Sequence, residues 1–188
     1  MTILTKKQFL ENLDKYLTKI KKSAVFVYPT DTIYGIGCDA TNTKAVKKIR
    51  SLKKRDSKPF SIIPPSKKWI RENCVITKEV DKWIKKLPGK YTLILNLKSR
   101  KCISSEVNNN MDTIGIRLPK HWITQVVAKL KKPLVTTSVN ITKEKYMTSI
   151  DDINKNIENK TDFIINQGKK NNRPSVIVDL INKEIKKR

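Results

Sequence analysis

The sequence predicts an α/β fold: a twisted, largely buried sheet with helices packed against it. Three observations predict it. Short apolar runs rich in β-branched residues alternate along the chain with stretches of helical periodicity. No long linker or internal repeat interrupts that alternation. The chain has 188 residues, of which 38% are hydrophobic, enough for one ordinary core. One domain is therefore expected over residues 1–188.

The elements follow in order. Residues 6–22 carry Phe9, Leu10, Leu13, Tyr16, Leu17 and Ile20 at helical spacing behind Thr5, a suitable N-cap. Residues 24–28 form a short buried strand stopped by Pro29. Residues 29–40, rich in hydroxyls and glycine, read as a loop. Ala45, Val46, Ile49 and Leu52 mark a helix over 44–53, which residues 53–59 break. A strand is expected at 60–63, short helices at 67–73 and 78–87, a turn at Pro88-Gly89, and a strand at 91–97. Residues 113–118 make a strand ended by Pro119, 122–130 a helix, and 133–138 a strand. A helix over 150–156 and strands at 163–165 and 175–179 complete the pattern. The charged stretch 182–188 reads as a solvated, frayed tail.

Charge is the anomaly. Lys and Arg number 41 against 17 Asp and Glu, a formal charge of +24. Such a surface attracts polyanions such as nucleic acid, nucleotides or acidic membranes, although lysine spread along the whole chain is equally a compositional bias. No apolar run approaches the roughly 20 residues of a membrane span. The first residues lack the apolar core of a secretory signal. Cys38, Cys74 and Cys102 form no CxxC pair, so neither a disulfide framework nor a zinc site is indicated. A cytoplasmic location is the expectation.

The familiar catalytic kits are absent. There is no phosphate loop, GxGxxG, HExxH or GxSxG pattern. His121 is the one histidine and reads as a capping or surface residue. Hydroxyl and cationic residues remain at predicted strand ends: Thr30 and Thr32, then Lys53, Arg55 and Lys58, then Arg117, then Thr136, Ser138 and Asn140, and finally Ser175. Ligands of α/β folds bind where loops leave the strands. Such groups suit an anionic ligand and stabilise charge by position and field. Arg117 in an apolar strand needs an anionic partner. Singly, the others are also ordinary helix-end, turn or edge-strand residues. On residues alone the reading stops at an α/β domain that binds an anion.

The motifs containing these residues carry a resemblance. Residues 29–40, Lys53 with Arg55, residues 58–62, 88–92 and 114–119, Ser138 with Asn140, and 173–179 resemble, in order, the motifs of the YrdC-like family of threonylcarbamoyl-AMP synthases. Together they span about 24–179, and the chain resembles the short, single-domain type. It departs from the pattern in three places. Two residues separate Arg55 from Lys58 where the family has three, Ile141-Thr142 follows Asn140 where Ser-Gly is frequent, and Val176 replaces a common Thr.

The resemblance implies an open, twisted mixed sheet flanked by helices, with an electropositive cavity. It implies that L-threonine, bicarbonate and ATP give threonylcarbamoyl-AMP and pyrophosphate, and that a downstream transferase moves the group to adenosine 37 of tRNA. Lys53 and Arg55 match the family's catalytic, ATP-phosphate positions, joined by Lys58, Ser138 and Asn140. Thr30, Thr32, Arg117, Thr136 and Ser175 match the threonine and carbamate side. Tyr34 and Tyr146 are further candidates for the pocket wall. Mg2+ is expected to travel with ATP, since no carboxylate cage is apparent in the sequence. Direct tRNA contact through the basic surface is a further expectation; membrane contact is not. An RNA-binding module, or a paralogue without synthase activity, is the alternative. The 6% aromatic content, without a stacking pattern, weighs against sequence-specific reading of single strands.

Overall fold

A computed structural model describes residues 2–55, 57–142, 144–170 and 172–187. The chain opens with β1 (Thr2–Thr5), α1 (Lys6–Glu11), α2 (Leu13–Lys21), β2 (Phe26–Tyr28), β3 (Gly35–Gly37) and α3 (Thr43–Lys53). Next come β4 (Ser61–Ile63), α4 (Lys67–Asn73), α5 (Lys78–Lys85), β5 (Tyr91–Asn96), α6 (Ser105–Asn108) and β6 (Thr113–Ile116). It closes with α7 (Ile123–Leu130), β7 (Leu134–Ser138), α8 (Lys155–Lys160), β8 (Phe163–Asn166), β9 (Val176–Asp179) and β10 (Glu184–Lys186). Single 3-10 turns lie at Arg100–Cys102 and Ile150–Asp152.

The strands form one mixed sheet in the order β1-β8-β2-β3-β7-β4-β6-β5-β9-β10. Strand β7 joins its two halves. Its last residues pair antiparallel with β3, Gly35 opposite Ser138 and Ile36 opposite Thr137. Its first residues pair antiparallel with β4, Ser61 opposite Thr136. Near the β1 end, Phe163 stacks on Phe26 with ring centroids 4.8 Å apart and meets Tyr16 at 4.8 Å. This aromatic cluster docks α2 against the sheet, since each buried ring contributes a large apolar area.

Local chemistry explains the element starts. Thr5 caps α1 in a capping box with Gln8. Asn42 caps α3 by accepting from the Ala45 amide. Helix α5 carries Glu79 and Asp81 in its first turn and Lys82 and Lys85 in its last, each complementing the helix dipole. Helix α3 ends at Lys54, whose left-handed backbone (φ 47°) turns the chain toward Arg55.

Several expectations are corrected. The helix over 6–22 is two helices meeting at Asn12, whose side-chain amide donates to the Gln8 carbonyl (3.1 Å) and competes with the helical ladder. Leu10, expected on the buried face, is 40% exposed. The loop over 29–40 contains strand β3, hidden in the sequence by its two glycines. Strand β1, pairing parallel with β8, and helix α6 were too short to signal themselves. The helix over 150–156 is a 3-10 turn followed by α8. The tail is solvated but not frayed: β10 pairs antiparallel with β9 while its side chains stay exposed. Among the described residues no helix is long and apolar enough to cross a membrane.

The glycines of β3 answer a steric demand. A Cβ on Gly37 would collide with the Val135 carbonyl and lie 3.0 Å from the Tyr28 ring. Gly37→Ala is therefore expected to cost about 1–3 kcal/mol of stability by overpacking, read as a lower urea midpoint with an unchanged m-value.

Candidate functional site

Side chains alternate across a strand, so register decides which residues share a face. Gly35 sits opposite Ser138, and Ser61 opposite both Thr136 and Gly115. Arg117 follows Gly115 by two residues and continues the ladder through its amide to the Ile62 carbonyl (2.9 Å). Thr92 lies one step beyond the Leu93–Ile116 pair. One face of the central strands thus carries glycine and hydroxyl residues around a single arginine. A Cβ on Gly115 would strike the Ser61 hydroxyl, so the small residues make this face concave. The resulting cavity of about 300 Å³ is lined by Tyr34, Arg55, Ser61, Thr92, Arg117, Thr136, Ser138, Tyr146 and Ser175, among others.

Arg117 is 8% exposed. Its Nη2 donates to Asp31 Oδ1 (2.8 Å), to Thr30 Oγ1 (3.3 Å) and to Thr32 Oγ1. The second Asp31 oxygen accepts the Lys120 amide (3.0 Å). The anionic partner demanded by the buried arginine is thus Asp31 within the chain. Arg117 Nε is buried with no hydrogen-bond partner, and leaving such a donor unpaired costs about 1–3 kcal/mol. Thr30 and Thr32 do not line the cavity; both are buried behind Arg117 and orient it. Across the floor, Thr92 and Ser175 share a 2.7 Å hydroxyl contact. The Tyr34 hydroxyl donates to the Gly168 carbonyl (2.7 Å) and accepts the Gln167 amide (3.0 Å), tying the loop after β8 to the wall.

The cationic side is less uniform. Arg55 lines the cavity, and its guanidinium lies over the Phe60 ring, 5.1 Å from the centroid. It donates from Nε to the Lys58 carbonyl (3.0 Å) and from Nη2 to the Pro59 carbonyl (2.6 Å). Lys58 therefore supports Arg55 through its backbone, while its exposed side chain stands outside the lining. Lys53 is buried, 1% exposed. Its ammonium donates to the carbonyls of Ser138 (2.5 Å) and Asn140 (2.7 Å) and to Asn140 Oδ1 (3.0 Å). Burial first, then the Arg55 charge, pull its pKa down to about 7. Asn140 Oδ1 also accepts the Ser138 hydroxyl (2.6 Å).

Asp31, Ser61 and Thr92 belong to the site although sequence reasoning did not single them out. The signal was present: Ser61 and Thr92 are hydroxyls inside apolar strands, and Asp31 stands between two site threonines. His121 lies outside the cavity lining, against Gln167 Oε1 (3.0 Å). Burial depresses its pKa to about 4.

Comparison with known proteins identifies the scaffold. The Sua5/YciO/YrdC family model, described as "Telomere recombination", matches residues 18–187. The chain belongs to this family. A Methanocaldococcus jannaschii relative, to which the name threonylcarbamoyl-AMP synthase is given provisionally, is 36% identical over 93% of this chain and 82% of its own. The threonylcarbamoyl-AMP synthase of Buchnera aphidicola subsp. Schizaphis graminum is 28% identical over 95% and 96% of the two chains. In three dimensions the chain superposes on P. abyssi Sua5, solved in complex with L-threonine, with a TM-score of 0.86 at 24% identity. That match covers 98% of this chain and 55% of the Sua5 chain, so this chain spans just over half the length of that relative. At that identity the likeness speaks for the fold: the mixed α/β sheet is that of the family.

Two predictions follow from the charges. Asp31→Ala strands the Arg117 guanidinium and is expected to destabilise the protein by about 3–5 kcal/mol, measured by urea unfolding. His121 binds its proton less readily in the folded chain than in the unfolded one, where its pKa is near 6.5. Its contribution to stability is therefore present above about pH 6.5 and is lost as the pH falls toward 4. The melting temperature is expected to drop between pH 7 and 5, and His121→Gln to flatten that segment of the curve.

Proposed function

We propose that this chain is a threonylcarbamoyl-AMP synthase, a nucleotidyltransferase that converts L-threonine, bicarbonate and ATP to threonylcarbamoyl-AMP and pyrophosphate. The observation that carries the reading is Arg117: a buried guanidinium held by Asp31, Thr30 and Thr32 at the wall of a hydroxyl-lined cavity that also takes in Arg55. One cation suits a carboxylate and the other a phosphate. The names of the two curated relatives support the same reading.

The chemistry asks little covalent work of the protein. The threonine amine, once deprotonated, attacks the carbon of bicarbonate or of CO2 derived from it, and the carbamate forms with net loss of water. A carbamate oxygen then attacks the α-phosphorus, and pyrophosphate leaves. The nucleophile belongs to the substrate, so no activated serine, cysteine or histidine is needed. The residues contribute position and field. In this reading Arg117, held by Asp31, Thr30 and Thr32, takes the threonine carboxylate. Thr136 and Ser175 face the carbamate, and Tyr34 and Tyr146 wall the pocket. Arg55, supported by the Lys58 carbonyl, faces the phosphates together with the loop carrying Ser138 and Asn140.

Mg2+ would accompany ATP and offset phosphate charge. Among the described residues no group of three or more His, Cys, Asp or Glu side chains is placed to hold a metal. In this reading the metal would be held by phosphate oxygens and water. The product would pass to a transferase acting on adenosine 37 of tRNA, in the cytoplasm. The +24 charge would favour direct contact with that tRNA.

The test is pyrophosphate release from ATP and Mg2+, measured with and without L-threonine and bicarbonate. Release is expected only with both co-substrates; no release from folded protein overturns the proposal, and intact RNA binding in that case favours a binding module. Arg55→Ala is expected to abolish release while preserving the fold. Arg117→Lys, which loses the fork, is expected to raise the threonine KM about tenfold or more.

A further inference from the structure

Lys53 occupies an unusual position for a residue expected to meet a ligand. Its ammonium is enclosed by three oxygens of the 138–142 loop, two of them backbone carbonyls. That loop holds its other end as well: the Thr142 amide (3.0 Å) and hydroxyl (2.8 Å) both donate to the Lys53 carbonyl. The last residue of α3 is thus bound at both ends by one loop. The loop in turn sets a wall of the cavity. It begins at Ser138, which lines the cavity, and the Met147 amide returns to the Val139 carbonyl (3.0 Å), placing Tyr146 on the lining.

We propose that Lys53 is a positioning residue: its charged ammonium pins the 138–142 loop, and with it the Ser138 and Tyr146 wall, instead of contacting phosphate. Three charge-assisted bonds consume all three donors of an ammonium. A phosphate contact would require breaking at least one of them. The carbonyls of Ser138 and Asn140 converge on one point, and an ammonium with three donors satisfies both together with Asn140 Oδ1. Residues 138–142 are Ser, Val, Asn, Ile and Thr, so this loop brings no ionisable side chain to Lys53. The charged group acting on Lys53 is Arg55, which lowers its proton affinity together with burial.

The first readout is independent of ligand: amide hydrogen exchange at Thr142 and Met147 at pH 6, corrected for intrinsic rates. In Lys53→Met protection at both amides is expected to be about tenfold lower than in the wild-type chain. Strand β8 serves as the internal control. Unchanged protection in the variant overturns the proposal. If Lys53→Met does not fold, Lys53→Gln, which keeps an amide donor in place of the ammonium, is read in its place under the same criterion.

The second readout rests on the synthase reading: L-threonine affinity without nucleotide, and ATP affinity, by calorimetry at pH 6. Lys53→Met is expected to weaken both, because the wall serves both. Loss of ATP affinity with threonine affinity intact marks Lys53 as a phosphate contact and overturns the positioning role. Absence of threonine binding in the wild-type chain sinks the synthase reading and leaves the exchange experiment to judge the pin.

Discussion

Strand β7 carries the geometry on which the rest of the molecule depends. Its five residues divide their pairing, the first part with β4 and the last with β3, both antiparallel. A strand engaged on both edges cannot slip by one residue without turning every side chain to the opposite face. That constraint aligns Thr136 with Ser61, and Ser138 with Gly35. It also brings the Val135 carbonyl so close to β3 that position 37 has no room for a Cβ. The concave, hydroxyl-bearing face is a consequence of this register.

Two buried cations are then handled in opposite ways. Arg117 is matched by a carboxylate of its own chain, Asp31, with side chains 10% and 9% exposed. The pair holds the guanidinium in one orientation. Lys53 has carbonyl and amide oxygens for partners. Burial and the neighbouring Arg55 charge lower its pKa to about 7. In the proposed synthase Arg117 and Arg55 would supply positive field at the cavity, while Lys53 would shape its wall.

Much of the scaffold was legible in the sequence. Apolar periodicity marked α3, α5, α7 and the central strands, and Thr5 marked the start of α1. What escaped had local chemistry pointing elsewhere. Strand β3 is two glycines around one isoleucine, a poor strand by propensity, and tertiary close approach overrides propensity there. Strand β10 is charged and exposed, so only its backbone pairing with β9 distinguishes it from a tail. Asn12 splits a periodic stretch through one side-chain hydrogen bond, which no periodicity reports.

The sequence by itself determined the α/β class and the family, and it placed hydroxyls and cations at the ends of apolar strands, where buried groups need partners. Tertiary structure alone decided the roles. Arg117 is 85 to 87 residues away from Thr30, Asp31 and Thr32 along the chain, and their bonds to its single Nη2 depend on folding. Lys53 and Arg55 read alike in the sequence, yet one is enclosed by a loop and the other opens on the cavity. The physical reason is that charge and hydrogen-bonding capacity are properties of a residue, whereas the partner that satisfies them is a property of the packing.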